Sequence, residues 1–296
     1  MVGVVVVNHR TPELAVRCAA SLRSSESVGD LVVVETDGEP TTPAAGLGPD
    51  VRIEVMTENR GFGAAANRGA ALVEGEFVLI TNADVYFEPD AVEELLGGLR
   101  RQPRWGLAAP LLRDSSGDVQ ESSFRFPGLA QAVIDLLPAP RWLRRSRLNG
   151  RYPAAWAASR DFAIDHPLGA CMLVRREAFD AVGGFDESIF MYAEEIDLCR
   201  RLQVAGWWSG HVAGAAAVHV GGASTGQNRE RMIEQLYISR AKYFAAHHGA
   251  AYATAARLAM AAGLAVSPIW NRLPRYRGLG LGVAAALRLA GRVARA

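Results

Sequence analysis

The sequence predicts an α/β fold, with a mostly parallel central sheet flanked by helices and a helical C-terminal extension. Three observations predict it. The apolar runs Val2–Val7 and Phe77–Ile80 are continuous rather than alternating, as in strands covered on both faces. Strand-like and helix-like segments alternate through the first 112 residues. Small polar clusters follow the apolar runs, at the strand ends where open α/β sheets bind ligands.

With 296 residues, the chain has material for one large or two modest domains around a buried core. Half of the residues are hydrophobic and the formal charge is +1, so no global field favours nucleic acid and any basic function must be local. Lys242 is the only lysine, so Schiff-base chemistry would rest on one residue in a late helical segment. Cys18, Cys171 and Cys199 are widely spaced, odd in number and form no CxxC pair, which suits a reducing compartment. The opening MVGVVVVNHR lacks a basic leader and its apolar run is short, so it reads as a first strand and a cytoplasmic location is expected.

Val2–Val7 is that strand, ending at Asn8, and Thr11, Pro12 and Glu13 give helix-start chemistry for Leu14–Leu22. Leu31–Val34 is a second strand, with Glu35 and Asp37 placing carboxylates at its end. Residues 40–49 form a Pro/Gly/Thr/Ala loop, and Val51–Met56 alternates as a third strand. In ENRGFGAAANRG, Gly61, Gly63 and Ala66 satisfy the relaxed dinucleotide pattern GxGxxA, with Asp84 at the spacing of a ribose-binding acid. That pattern normally opens the first βαβ unit, whereas two units come earlier here. Its glycines allow close backbone approach to a ligand, and Arg60 offers a fork of donors for phosphate.

In FVLITNADVYF, Asn82 and Asp84 sit just past the buried run, where they could hold a metal or a sugar hydroxyl; both are also ordinary turn residues. Val92, Leu95, Leu96 and Leu99 have helical spacing after the starter Glu88-Pro89-Asp90, Leu107–Leu112 is a further strand, and Asp114–Asp118 is a turn. Residues 124–165 break the pattern with prolines, aromatics and the cluster Arg141, Arg144, Arg145 and Arg147, and read as a mobile or partner-shaped insert. Arg141, Arg144 and Arg145 share a helical face beside Trp142 and Leu143, suited to an anionic lipid surface, to a diphosphate or simply to solvent. Gly169–Val174 begins a strand, Glu177–Val182 is a short helix ended by Gly183-Gly184, and the acids Glu194, Glu195 and Asp197 open another helix. Acids favour a helix's first turn, but three together exceed what capping needs, and one facing a cleft could act as a general base.

ENRGFGAAANRG, TNADV, GACMLVRREAF, GGFDESIFMYAEEIDLCRRL and VHVGGAST occur in this order across residues 4 to 225. Together they resemble the inverting family 2 glycosyltransferases, and among these the rhamnosyltransferase-like members that build bacterial envelope glycans. The resemblance implies a GT-A fold over residues 1–240, with a nucleotide-sugar half (1–112) and an acceptor half (113–240), before a helical tail at 241–296. It implies that Asn8, Glu35, Arg60, Gly61, Gly63, Asn67, Asn82 and Asp84 bind the donor, and that Gly169, Glu194 and Asp197 bind the acceptor. Asn82 and Asp84 stand in place of the family's DxD, with Asp84 and His219 as ligands to Mg²⁺ or Mn²⁺ and Asn82 orienting the sugar or a bound water. Glu195 takes the place of the family's catalytic aspartate, one methylene longer. Glu35 to Gly38 departs from the family's usual Asp-Asn pair.

In the tail, residues 240–248 continue a helix, and Tyr252–Trp270 is Ala-rich but interrupted by Gly263 and Pro268. Near the end Arg288, Arg292 and Arg295 lie opposite Leu287, Leu289 and Val293, as in an interfacial membrane helix or in a packing helix with a basic outer face. The expected activity is transfer of a sugar from a nucleotide-sugar donor, dTDP-rhamnose among them, to a glycan or polyprenyl-diphosphate-linked acceptor, with peripheral contact to the inner face of the cytoplasmic membrane. The alternatives are a non-catalytic nucleotide- or glycan-binding homologue and, on GFGAAA alone, a nicotinamide-dependent enzyme. The oligomeric state stays open, a homo-oligomer included.

Overall fold

A computed structural model describes residues 1–221, 229–270 and 279–296. Of VHVGGAST, residues 222–225 lie outside the described residues. The chain divides into two compact units.

The first unit comprises the described parts of 1–124, 154–190 and 194–221. Its strands are β1 (Val2–Asn8), β2 (Val28–Glu35), β3 (Val51–Val55), β4 (Phe77–Asn82), β5 (Val85–Phe87), β6 (Trp105–Arg113), β7 (Ser123–Phe124), β8 (Phe162–Ile164), β9 (His166–Pro167), β10 (Cys171–Arg175) and β11 (Trp208–His219). The main sheet has the order β3-β2-β1-β4-β10-β6-β11-β5, with β8 also paired to β11; β7 and β9 form a separate ribbon. Strands β1, β2, β3, β4, β6 and β11 run one way, and β5, β8 and β10 run against them. The sheet is therefore mostly parallel, as the apolar runs imply.

Every residue of β1 is buried because the strand lies between β2 and β4 with helices over it. Helix α1 (Pro12–Leu22) turns Ala15, Cys18, Ala19 and Leu22 inward, and the short α2 is Ala44–Leu47. In α3 (Phe62–Ala70), a Cβ on Gly69 would lie 2.3 Å from Val5 Cγ1, so glycine permits the helix to touch the sheet. Helix α4 (Ala91–Arg101) buries Val92, Leu95, Leu96 and Leu99, the positions that the sequence spacing selects. It packs on β6 and β11.

The long strand β11 is not among the sequence expectations. Its run WSGHVAGAAAVH is built of small residues because neighbours crowd it: a Cβ on Gly210 would lie 2.0 Å from the Trp105 ring. Cys18, Cys171 and Cys199 are buried free thiols.

The second unit comprises 125–153, 191–193 and the described part of 227–296. It contains α5 (Leu129–Ile134), α6 (Arg141–Arg144) and a 3₁₀ turn at Arg147–Asn149; α7 (Ala154–Ala157), α8 (Arg176–Ala181) and α9 (Glu194–Val204) belong to the first unit. The long helices α10 (Arg229–His247), α11 (Ala250–Trp270) and α12 (Val283–Arg295) complete the second. Helix α11 packs against α5, α10 and α12. Helix α12 buries Ala286, Leu289, Ala290 and Val293, whereas Leu287, expected on the same side as Leu289 and Val293, is exposed; Arg288 and Arg292 pair with Glu230 and Glu234 of α10. The expected boundary at residue 240 falls inside α10, and 125–153 groups with the helical tail.

Candidate active site

The carboxyl ends of β1, β2, β4 and β11 share one edge of the sheet, where β10 begins in the opposite sense. At this edge Asn8 and Glu35 are both fully buried and bonded to each other, Asn8 Nδ2 donating to Glu35 Oε2 at 3.0 Å. Thr41 Oγ1, Thr42 N and Thr42 Oγ1 also donate to the Glu35 carboxylate, and Thr11 donates to Asn8 Oδ1. The hydrogen-bonding capacity of the pair is thus largely taken within the chain, which fixes the β1 and β2 loops. Asp37, two residues on, is placed differently. Its Oδ1 meets His9 Nδ1 at 3.0 Å and Arg10 Nε at 3.3 Å, while its enclosed Oδ2 has no hydrogen-bond partner. An enclosed carboxylate oxygen left unpaired is a natural acceptor for a ligand donor, and the sequence choice of Glu35 over Asp37 missed it.

Arg60, Gly61, Gly63 and Asn67 converge on the segment 184–190. Arg60 Nη2 pairs with Glu187 Oε2 at 2.7 Å, and Asn67 clamps Phe185 by accepting from its N–H and donating to its carbonyl, both at 2.9 Å. Gly61 has φ +95°, and a Cβ there would lie 1.9 Å from Phe190 O. On Gly63 it would lie 2.9 Å from Phe185 Cβ. These glycines make room for protein backbone and side chain. A cavity of about 410 Å³ beside them is lined by Met56, Arg60, Asn67 and Glu187 and reaches neither Asp84 nor Glu195.

Asp84 and His219 are brought together by the β5–β11 pairing, which sets Val85 opposite His219. Asp84 Oδ1 lies 3.5 Å from His219 Nε2, with both side chains about nine-tenths buried. On the far side of the ring, His219 Nδ1 meets Gln120 Oε1 at 3.0 Å. With Nδ1–H donating to Gln120, Nε2 turns a lone pair toward the carboxylate. Burial lowers the His219 pKa, against the opposing pull of Asp84, so the neutral ring is favoured. Two acceptors facing each other, one braced from behind, fit a divalent cation with oxygen and nitrogen ligands, as Mg²⁺ or Mn²⁺ accept. No group of three or more His, Cys, Asp or Glu side chains forms such a site among the described residues, so substrate oxygens would complete the coordination. Asn82 is adjacent, its N–H bonded to Ala170 O at 2.9 Å.

That contact leads to the acids of α9. Gly169, next to Ala170, lies against Glu195: a Cβ at 169 would meet Glu195 Cδ at 3.3 Å. Glu195 is half-buried and Glu194 is buried. Burial, and then the charge of Glu195, holds the Glu194 carboxyl well above the usual carboxylate range, and its Oε2 has no hydrogen-bond partner. Asp197 is held in an ion pair, with Arg201 Nε and Nη2 both at 2.7 Å from Oδ2 while Arg201 Nη1 holds Val182 O. The edge therefore gathers Glu195, Gly169, Asn82, Asp84 and His219. It leaves Asp197, Asn67 and Arg60 in bonds that hold the scaffold.

The sequence model for glycosyl transferase family 2 matches residues 4–183, and that for glycosyl transferase family group 2 matches 148–289. The chain is 35% identical over 232 residues to an N-acetylglucosaminyl-diphospho-decaprenol L-rhamnosyltransferase of Mycobacterium tuberculosis strain H37Rv, covering 73% of this chain and 70% of the relative. It is 28% identical over 167 residues to the rhamnosyltransferase WbbL of Escherichia coli K12, covering 54% of this chain and 60% of that one. Among solved structures, a mannosyltransferase, PcManGT, from Pyrobaculum calidifontis in complex with GDP-Man and Mn²⁺ superposes with a TM-score of 0.60 at 19% identity, over 99% of this chain and 86% of that chain. GalNAc-T7 with UDP, GalNAc and Mn²⁺ superposes with a TM-score of 0.54 at 12% identity, over 99% and 55%. These two likenesses concern the fold.

Proposed function

The chain belongs to glycosyl transferase family 2 and is a glycosyltransferase with the GT-A fold; from that premise we propose that it moves rhamnose from dTDP-rhamnose to a hydroxyl of a polyprenyl-diphosphate-linked glycan in cell-wall polysaccharide synthesis. The substrate reading draws on the name and similarity of the mycobacterial relative. The observation that carries the chemistry is the placing of the Glu195 carboxylate, through Gly169 and Ala170, on the same strand edge as the Asp84–His219 pair.

In this reading Glu195 accepts the proton of the acceptor hydroxyl as its oxygen attacks the anomeric carbon opposite the diphosphate. The new carbon–oxygen bond forms as the bond to the nucleoside diphosphate breaks with its electron pair, which inverts the configuration. Asp84 and His219 would hold Mg²⁺ or Mn²⁺, with Gln120 orienting His219. When bound, the ion supplies positive charge against the charge that builds on the departing diphosphate. Asp37 offers its unpaired oxygen to the nucleotide, while Asn8 and Glu35 shape the loop around it. Burial and the charge of Glu195 raise the Glu194 pKa, which favours the negative charge of the pair on Glu195. Such an enzyme works at the cytoplasmic face of the membrane that carries its acceptor.

Incubating the protein with dTDP-rhamnose, Mn²⁺ and a polyprenyl-diphosphate-linked N-acetylglucosamine tests the proposal. Rhamnosylated product that disappears with EDTA is expected. Donor binding with no transfer to any glycan acceptor would instead establish a non-catalytic homologue.

A further inference from the structure

The second unit holds about a third of the described residues but eight of the thirteen exposed large apolar side chains found among them. Trp142 and Leu148 protrude most in its 125–153 segment, at 72% and 63% exposure. Around them Arg141, Arg145 and Arg147 are also exposed. The segment contains six arginines and a single acid, Asp135, whose carboxylate is taken by Arg240 at 2.9 Å. Its local charge is therefore strongly positive although the chain as a whole carries +1.

The protruding groups stand on a fixed base. Buried Asn149 donates to Arg144 O at 2.9 Å, Arg144 Nη2 donates to Leu137 O at 3.2 Å, and Ser146 Oγ donates to Leu143 O at 2.7 Å. Helix α6 packs against the 3₁₀ turn that carries Leu148. An indole and a leucine ringed by guanidinium groups match the boundary of an anionic bilayer, where the ring enters the headgroup layer and the arginines meet lipid phosphates. By contrast, α12 buries Leu289 and Val293 in its own unit, and its Arg288 and Arg292 are paired with acids.

We propose that the segment around α6 and the following 3₁₀ turn, with Trp142 and Leu148 at its centre and Arg141 and Arg147 at its rim, docks the protein on an anionic lipid surface. The purpose, bringing a membrane-embedded acceptor within reach, rests on the function proposed above; the docking itself does not.

Co-sedimentation of the full chain with phosphatidylcholine vesicles, with and without phosphatidylglycerol, tests this in the absence of donor and acceptor. Binding should require phosphatidylglycerol and weaken as salt rises. Arg141→Gln with Arg147→Gln should lower affinity roughly thirty-fold, at ~1 kcal/mol per arginine, and Trp142→Ala should lower it separately. These side chains are exposed, so unchanged circular dichroism is expected of each variant. Equal binding to neutral vesicles, wild-type affinity in both variants, salt-resistant binding, or complete competition by free inorganic diphosphate would each overturn the proposal. Vesicle binding without any rhamnosyl transfer would leave it standing and remove only the proposed substrate. Transfer to a water-soluble acceptor without vesicle binding would do the reverse.

Discussion

Gly169 lies against the carboxylate of Glu195, so closely that a Cβ at 169 would stand 3.3 Å from Glu195 Cδ. The missing side chain leaves the glutamate, a methylene longer than an aspartate, room beside the start of β10. Gly169→Val should displace the carboxylate and lower kcat by roughly 100-fold, the order expected when a base is misplaced. Donor affinity should be unchanged. Steady-state kinetics with calorimetry of donor binding checks this, and an unchanged kcat would remove the constraint.

Gln120 should matter to the cation although it does not face it. Gln120→Ala should weaken Mn²⁺ binding by ~10–100-fold in the presence of nucleoside diphosphate, the usual effect of losing a group that orients a ligand. Asp84→Asn and His219→Ala should weaken it at least as much. Calorimetry on the three variants, each with its melting temperature, separates ligand loss from unfolding.

Glu194 gives stability a dependence on pH. Its folded pKa is raised by burial and by Glu195, so the folded state retains a proton that the unfolded state releases above the ordinary glutamate value of about 4.3. Stability contributed by this group should fall as pH rises from that value toward the raised one. Glu194→Gln, neutral at every pH, should flatten that fall. Thermal melts from acid to neutral pH provide the comparison, and parallel curves for the two proteins would contradict the assignment.

Asp197 and Arg201 should register in stability. Arg201→Ala leaves a carboxylate of 4% side-chain exposure without its fork of donors, at a cost of about 3 kcal/mol or more. Gly61→Ala is also expected to destabilise, since it combines φ +95° with a collision at Phe190 O. Urea denaturation measures both.

Strands β1 and β4 were legible because strands buried on both faces must be continuously apolar, and α4 because its buried positions repeat at helical spacing. Strand β11 was not, since its alanines and glycines answer to Trp105 and α4, which are remote in sequence. The same limit applies to the site. Asp84 announces itself at a strand end, but its partner His219 is 135 residues away and was reached only through the family resemblance. Glu35 and Asp37 look alike in a string of letters. Their difference lies in which carboxylate the threonines of the next loop satisfy.

In the proposed reaction Glu195 is the base of a rhamnosyl transfer whose donor is held elsewhere on the same edge. The most direct measurement is product formation by Glu195→Gln from dTDP-rhamnose, Mn²⁺ and the lipid-linked acceptor, beside calorimetric donor binding by the same variant. Undetectable transfer with donor affinity equal to that of the wild type is expected. Wild-type transfer by Glu195→Gln would contradict it.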